Sequence, residues 1–142
     1  MRKLVLVTGG FDPLHKGHIA YLEAAYRLGD GLVVGLNSDA WLQRKKGKQF
    51  MDFEDRKAVL DALWMVDEVI AFDDSDDSAR AAIQFCLDNT KERVVFANGG
   101  DRTSGNIPEM DVVSDRLDFV FGVGGDEKLN SSSWILDRWN RG

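Results

Sequence analysis

The chain has a single cysteine among 142 residues, which excludes any intrachain disulfide. Cys86 falls on the apolar stripe Ala79, Ala82, Ile83, Cys86, Leu87, where a cysteine acts as a small core hydrophobe. No stretch approaches the ~18 apolar residues of a membrane span, and no apolar run after the basic N-terminal residues is long enough for a signal peptide. A cytoplasmic protein without a membrane partner is expected. Positive charge is short too: the formal net charge is −6, whereas general nucleic-acid binding needs a broad basic face. Repeats, low-complexity tracts and linkers are absent, and this length suits one compact domain over residues 1–142. Only two histidines occur, His15 and His18, so neither belongs to a scattered surface population.

What is present is a regular alternation. Strand-like runs near residues 3–8, 31–36, 67–72, 93–97 and 118–121 are separated by amphipathic stretches. This predicts an α/β fold, a Rossmann-like doubly wound five-stranded parallel sheet with helices on both faces. The runs GLVVGL and RVVFA are nearly continuous apolar segments, as parallel strands buried on both faces require. A first helix carries Ile19, Leu22, Ala25 and Tyr26 and ends at Gly29, and a later one carries Val59, Leu60, Leu63 and Val66. Ligands in such sheets sit beyond the carboxyl ends of the strands where strand order reverses. That gathers the loops Thr8 to His18, Asn37 to Lys48 and Asn98 to Arg102, with the last connection leading to Ser131.

The densest information lies in residues 5–18, VLVTGGFDPLHKGH. Leu4 to Val7 read as a buried strand, Gly9 and Gly10 let backbone N–H groups approach an anion, and the following helix offers its positive N-terminal end. His15 and His18 lie three residues apart, on one helical face beside that turn. With Gly9-Gly10-Phe11-Asp12 before His15-Lys16-Gly17-His18, the chain resembles the HxGH nucleotidyltransferase superfamily, the cytidylyltransferase-like enzymes that include cytidylyltransferases and adenylyltransferases.

The resemblance covers most of the chain. Asn37-Ser38-Asp39, Lys46-Gly47, the run Glu54-Asp55-Arg56-Lys57-Ala58-Val59-Leu60 and Val66-Asp67-Glu68-Val69 look like the adenylyltransferase arm of bacterial heptose synthases, the heptose-1-phosphate type. Glycerol-3-phosphate cytidylyltransferases share the outline less closely. Asn98-Gly99-Gly100-Asp101 matches a loop that in these families contacts nucleotide and substrate. Lys128-Leu129-Asn130-Ser131-Ser132-Ser133 stands where cytidylyltransferases read RTxGISTT. The serines are kept and the arginine is not; Asp126 occupies its place by counting, which leaves Lys128 as a substitute.

The resemblance implies coupling of CTP or ATP to a sugar phosphate or polyol phosphate with release of pyrophosphate, Mg²⁺ arriving through the nucleotide triphosphate with no protein metal site. It implies a catalytic set of His15, His18 and Lys46. Thr8, Gly9, Gly10, Phe11, His18, Gly99, Asp101, Ser131, Ser132 and Ser133 would bind nucleotide. Arg44, Lys46, Arg56, Asp101 and Arg102 would bind the acceptor, and a homodimer is implied as well. The same chemistry on glycerol 3-phosphate is one alternative, and a nucleotide-binding sensor without turnover is another. The histidine pair argues against the sensor, because a binding module has no use for groups that act mainly in a transition state.

Several residues carry two readings. Arg44, Lys45, Lys46 and Lys48 cluster in one loop, either gripping an anion or simply solvated, while Asp73, Asp74, Asp76 and Asp77 read as a solvated acidic patch in which Asp76 is a candidate helix cap. Arg56 is either a charge on an exposed helical face or an arginine reaching an anion. Asp12 is left as a local Asx turn, and Ser131 is a natural N-cap. Residues 102–109 are a polar connection or an ordered loop over the site. Trp41, Trp64, Trp134 and Trp139 are most economically core or interface residues, with Trp134 a possible stacking partner for a base.

Overall fold

The expected alternation is what the computed structural model shows over the residues it describes, 2–100, 102–124 and 131–141. Strands β1 (Lys3–Gly9), β2 (Gly31–Leu36), β3 (Glu68–Ala71), β4 (Arg93–Ala97) and β5 (Leu117–Val120) are interleaved with helices α1 (Lys16–Tyr26), α2 (Asp39–Lys46), α3 (Phe53–Asp61), α4 (Arg80–Asn89) and α5 (Ser132–Arg141). The sheet is parallel throughout, in the order β3-β2-β1-β4-β5. The chain steps outward from β1 to β2 and β3, then crosses back to β4 on the other side. Strand order therefore reverses at the carboxyl end of β1, where a crevice forms.

Alternate residues of each strand supply the two apolar layers. Val5 and Val7 of β1 join Leu32, Val34, Leu22, Ala25 and Leu60 on the face covered by α1 and α3. Leu6 joins Val33, Val94, Phe96, Ile83 and Cys86 on the face covered by α4. The stripe Ala79, Ala82, Ile83, Cys86, Leu87 is buried throughout. Burial pushes the Cys86 thiol up to about 12, so it is a protonated core group. Iodoacetamide should leave Cys86 unmodified in the native protein and alkylate it once denaturant exposes the core, as mass spectrometry of the intact chain would show.

Local readings fare less evenly. Helix α3 stops at Asp61, and Leu63 and Val66 continue the stripe through tight turns, Leu63 N–H donating to Leu60 O at 3.1 Å and Val66 N–H to Leu63 O at 3.2 Å. Arg44, Lys45 and Lys46 are not in a loop but form the last turn of α2, where cations suit the negative helix end. Gly47 ends that helix at φ 91°, a left-handed conformation that glycine adopts freely. Asp74 is buried rather than solvated, accepting from Asn37 Nδ2 at 3.0 Å, Ser38 N at 2.8 Å and Ser38 Oγ at 2.7 Å. Asp76 does not cap α4; it accepts from Ser78 N and Oγ, and Ala79 N–H at the helix start donates to buried Glu109 Oε2 at 2.8 Å. That carboxylate, with Arg80 bonded to Asp111 and to Pro108 O, fastens the 102–111 connection to α4. Trp64, Trp134 and Trp139 are not core: 65%, 49% and 78% of their surfaces are exposed. No helix of the described residues is long and apolar enough to cross a membrane.

Candidate active site

The crevice is lined first by the turn that leaves β1. Thr8 and Gly9 close the strand and Gly10 and Phe11 follow. Phe11 sits at φ 48° and is buried. The left-handed backbone costs about 1–2 kcal/mol, which burial of a phenyl ring, worth about 1.5–3 kcal/mol, offsets. Its edge meets His18, ring centroids 4.9 Å apart.

The two histidines are not equivalent positions of one helical face. His15 is the N-cap of α1 and His18 the third helical residue, joined in a reciprocal capping box. His15 Nδ1 accepts from Gly17 N–H at 3.1 Å, and His18 Nδ1 accepts from His15 N–H at 3.3 Å. An Nδ1 that accepts leaves the proton of a neutral imidazole on Nε2. The rings stack at 3.8 Å with 22° between planes. Burial, then the neighbouring His15 and Lys46, lowers His18 from 6.5 to about 3. His18 is therefore a neutral Nε2–H donor throughout the neutral range, held at a helix N-terminus where anions are favoured.

That depression makes the fold acid-sensitive. Between about 3 and 6.5 the unfolded chain binds a proton at His18 that the native state does not. Its stabilising effect is complete above 6.5 and lost as pH falls toward about 3. Melting temperatures of wild type and His18→Gln, whose side-chain oxygen can take the same cap bond, should be similar above 6.5, and the wild type should fall below the variant as pH drops through this window.

Lys46, at the end of α2, brings its Nζ to 3.4 Å from the Asp12 carbonyl, beside the histidine turn. Arg44 does not join it. Its guanidinium donates to Asp77 Oδ1 at 3.0 Å and to the Asp74 carbonyl at 2.8 Å, so it is committed to the β3–α4 connection. Arg56 is not a charge on an exposed helical face: its side chain is 0% exposed. It donates to the carbonyls of Met51 (2.9 Å), Gly10 (2.9 Å) and Asn37 (2.8 Å) and to Asp39 Oδ1 (2.7 Å), so its hydrogen bonds go to the protein itself. Asp12 is no local Asx turn. Buried, it accepts from the amides of Phe50 at 2.6 Å and Met51 at 2.7 Å.

The β4 end forms the opposite wall. Asn98 is buried, its N–H donating to Val120 O at 2.7 Å and its carbonyl accepting from Val123 N–H at 3.0 Å. A Cβ on Gly99 would lie 3.0 Å from two ring carbons of Tyr21 and from Val123 O, so a larger residue would press on both. Tyr21 in turn donates its hydroxyl to Ala97 O at 2.7 Å, and burial raises its phenol. This bond keys α1, and with it the histidines, to the end of β4. Arg102 is exposed and near enough to Tyr21 to oppose that shift. Asp101, Asp126 and Lys128 lie outside the described residues.

Ser131 Oγ accepts from Trp134 N–H at 3.0 Å and caps α5. Ser132, buried, donates its hydroxyl to Pro13 O at 2.8 Å, which brings the serine run to the β1–α1 turn; Ser133 is exposed. The structure thus assembles the β1–α1 turn, the histidine pair, Lys46, Gly99 and Ser131 to Ser133, and turns Arg44 and Arg56 inward to other partners. Asp12, Asp74, Tyr21 and Glu109 support the assembly, and no local sequence signal marks them because their partners are far along the chain. Among the described residues no group of three or more His, Cys, Asp or Glu could hold a metal ion.

A family model described as cytidylyltransferase-like matches residues 6–123. The bifunctional protein HldE of Syntrophotalea carbinolica is 36% identical over 146 residues, covering 99% of this chain and 28% of that protein. The chain thus spans little more than a quarter of the relative's length. Among solved structures, the lipopolysaccharide core biosynthesis protein of Thermoplasma volcanium has a TM-score of 0.62 at 26% identity, over 85% of this chain and 96% of that one. A bifunctional NMN adenylyltransferase/ADP ribose pyrophosphatase of Francisella tularensis, at 14% identity and a TM-score of 0.64, covers 99% of this chain and 43% of its own, and shares the fold.

Proposed function

Because the chain belongs to the cytidylyltransferase-like family, we propose that it is a nucleotidyltransferase coupling CTP or ATP to a sugar phosphate or polyol phosphate. The observation that carries this is the stacked histidine pair at the start of α1, each Nδ1 engaged by a backbone N–H and His18 neutral.

An acceptor phosphate oxygen attacks the α-phosphorus, a new P–O bond forms, and the bond to the β-phosphate oxygen breaks to release pyrophosphate. A phosphomonoester has a second pKa near ~6 and is mostly dianionic at neutral pH, so no protein base is needed. The remaining demand is positioning and charge. His15 and His18 donate hydrogen bonds to the phosphoryl oxygens as charge builds there. Lys46 draws the two polyanions together. Thr8, Gly9, Gly10 and Phe11 form the nucleotide floor, Gly99 and Ser131 to Ser133 add contacts to nucleotide and Arg102 to the acceptor, and the resemblance assigns Asp101 to nucleotide and acceptor and Lys128 to the role of the missing arginine. A magnesium ion carried in on the triphosphate would offset part of its negative charge, with no ligand assigned to this chain.

A cytoplasmic homodimer belongs to the same reading, supported for the dimer by exposed Trp64, Trp134 and Trp139. The test is pyrophosphate release from CTP or ATP with Mg²⁺ and a panel of phosphorylated sugars and polyols. Release dependent on one nucleotide and one acceptor is expected and names both. Tight nucleotide binding without release from any pair would favour the sensor.

A further inference from the structure

Two buried charges that the reaction does not need lie beside it, and between them they hold the start of α2 and the segment that leads from α2 into α3. At the start of the helix, Arg56 Nη1 donates to the Asn37 carbonyl at 2.8 Å and Nη2 to Asp39 Oδ1 at 2.7 Å. Beyond Gly47, which ends the helix, and just before α3, the Asp12 carboxylate takes the amides of Phe50 and Met51 at 2.6 and 2.7 Å. Both charges also belong to the histidine turn. Arg56 Nη1 reaches the Gly10 carbonyl at 2.9 Å, Asp12 is part of the turn itself, and Arg56 Nε joins the two ends through the Met51 carbonyl at 2.9 Å.

Helix α2 needs such fastening. It has eight residues and buries only Leu42, too little apolar surface to hold one orientation. Its last residue is Lys46, whose Nζ lies 3.4 Å from the Asp12 carbonyl. We propose that Asp12 and Arg56 are positioning residues, a two-ended latch that sets Lys46 against the histidine turn without either touching substrate. This rests on the nucleotidyl-transfer reading of the site.

The experiment uses the full chain with Asp12→Asn, which keeps the side-chain size but leaves one oxygen for two amide donors, and with Asp39→Asn at the other end of the latch. In both variants kcat should fall, by a factor on the order of 10² for Asp12→Asn, since small misplacements from outside the chemistry cost about that much. KM for nucleotide should stay within about threefold, while KM for the acceptor, which Lys46 binds, should rise together with the fall in kcat. In a Lys46→Ala background, Asp12→Asn should cost less than about threefold more, because residues acting through one group are not additive. Hydrogen exchange at the Phe50 and Met51 amides should accelerate in Asp12→Asn, a readout independent of turnover. Unchanged kcat in folded variants, a rise in KM alone, or full additivity with Lys46→Ala would overturn the proposal. If the wild type releases no pyrophosphate, the functional reading fails by itself, and the exchange rates still decide whether Asp12 secures the segment between α2 and α3.

Discussion

His18→Ala is expected to lower kcat by a factor on the order of 10²–10³ while leaving a folded protein, the loss of one donor to a developing phosphoryl charge being worth ~2.7–4 kcal/mol. The ring has two separable duties. Nδ1 accepts the His15 amide and completes the helix cap, and losing a cap costs about 1 kcal/mol of stability. Nε2 carries the proton offered to substrate, and its loss appears only in the barrier. Melting temperature should therefore move little while turnover collapses. The deficit should be the same at pH 6 and pH 9, roughly speaking, because a group lowered to about 3 does not titrate there. A variant turning over at close to the wild-type rate would remove His18 from the mechanism.

Arg56→Met should be the most destabilising single change near the site, by about 3–5 kcal/mol. The guanidinium is fully buried and serves three carbonyls and the Asp39 carboxylate. A thioether fills similar space but leaves all four acceptors unserved. Each orphaned buried carbonyl costs about 1–3 kcal/mol, and the partly exposed Asp39 recovers some solvation, which keeps the total below the simple sum. The melting temperature should drop by roughly 10–15 °C. Had Arg56 been an anion-binding group, the variant would melt like the wild type and lose only affinity for phosphate; a calorimetric scan with a parallel phosphate titration separates the two. Arg56→Lys should fall between, since one ammonium cannot reach acceptors on every side of a planar fork.

The strands and the two apolar layers were readable because strands buried on both faces must be apolar at nearly every position, as Gly31–Leu36 and Arg93–Ala97 are. The glycine turn with His15 and His18 was readable for a related reason. Close approach to an anion restricts the residue types, and all of them lie within one short segment. Arg56 illustrates the opposite case. Its neighbours Glu54 and Asp55 are exposed and Lys57 is half-buried, and a charged residue among charges reads as a solvated face. Arg44 and Asp74 misled in the same way: a basic and an acidic run, each natural at a surface, meet through Asp77 and the Asp74 carbonyl.

Order of elements, fold class, the buried stripe around Cys86 and the nucleotide-type turn were thus properties of local pattern, because secondary structure and burial follow from periodicity over a few residues. Which charges face substrate and which are spent inside was settled by folding. Asp12 meets Phe50 and Met51 across the α2 segment, Arg56 meets Gly10 from 46 positions away, and Tyr21 meets Ala97 across more than half of the chain. A buried charge survives only where acceptors or donors converge on it from several elements at once, and that convergence exists only after β1, α2, α3 and β4 have packed together.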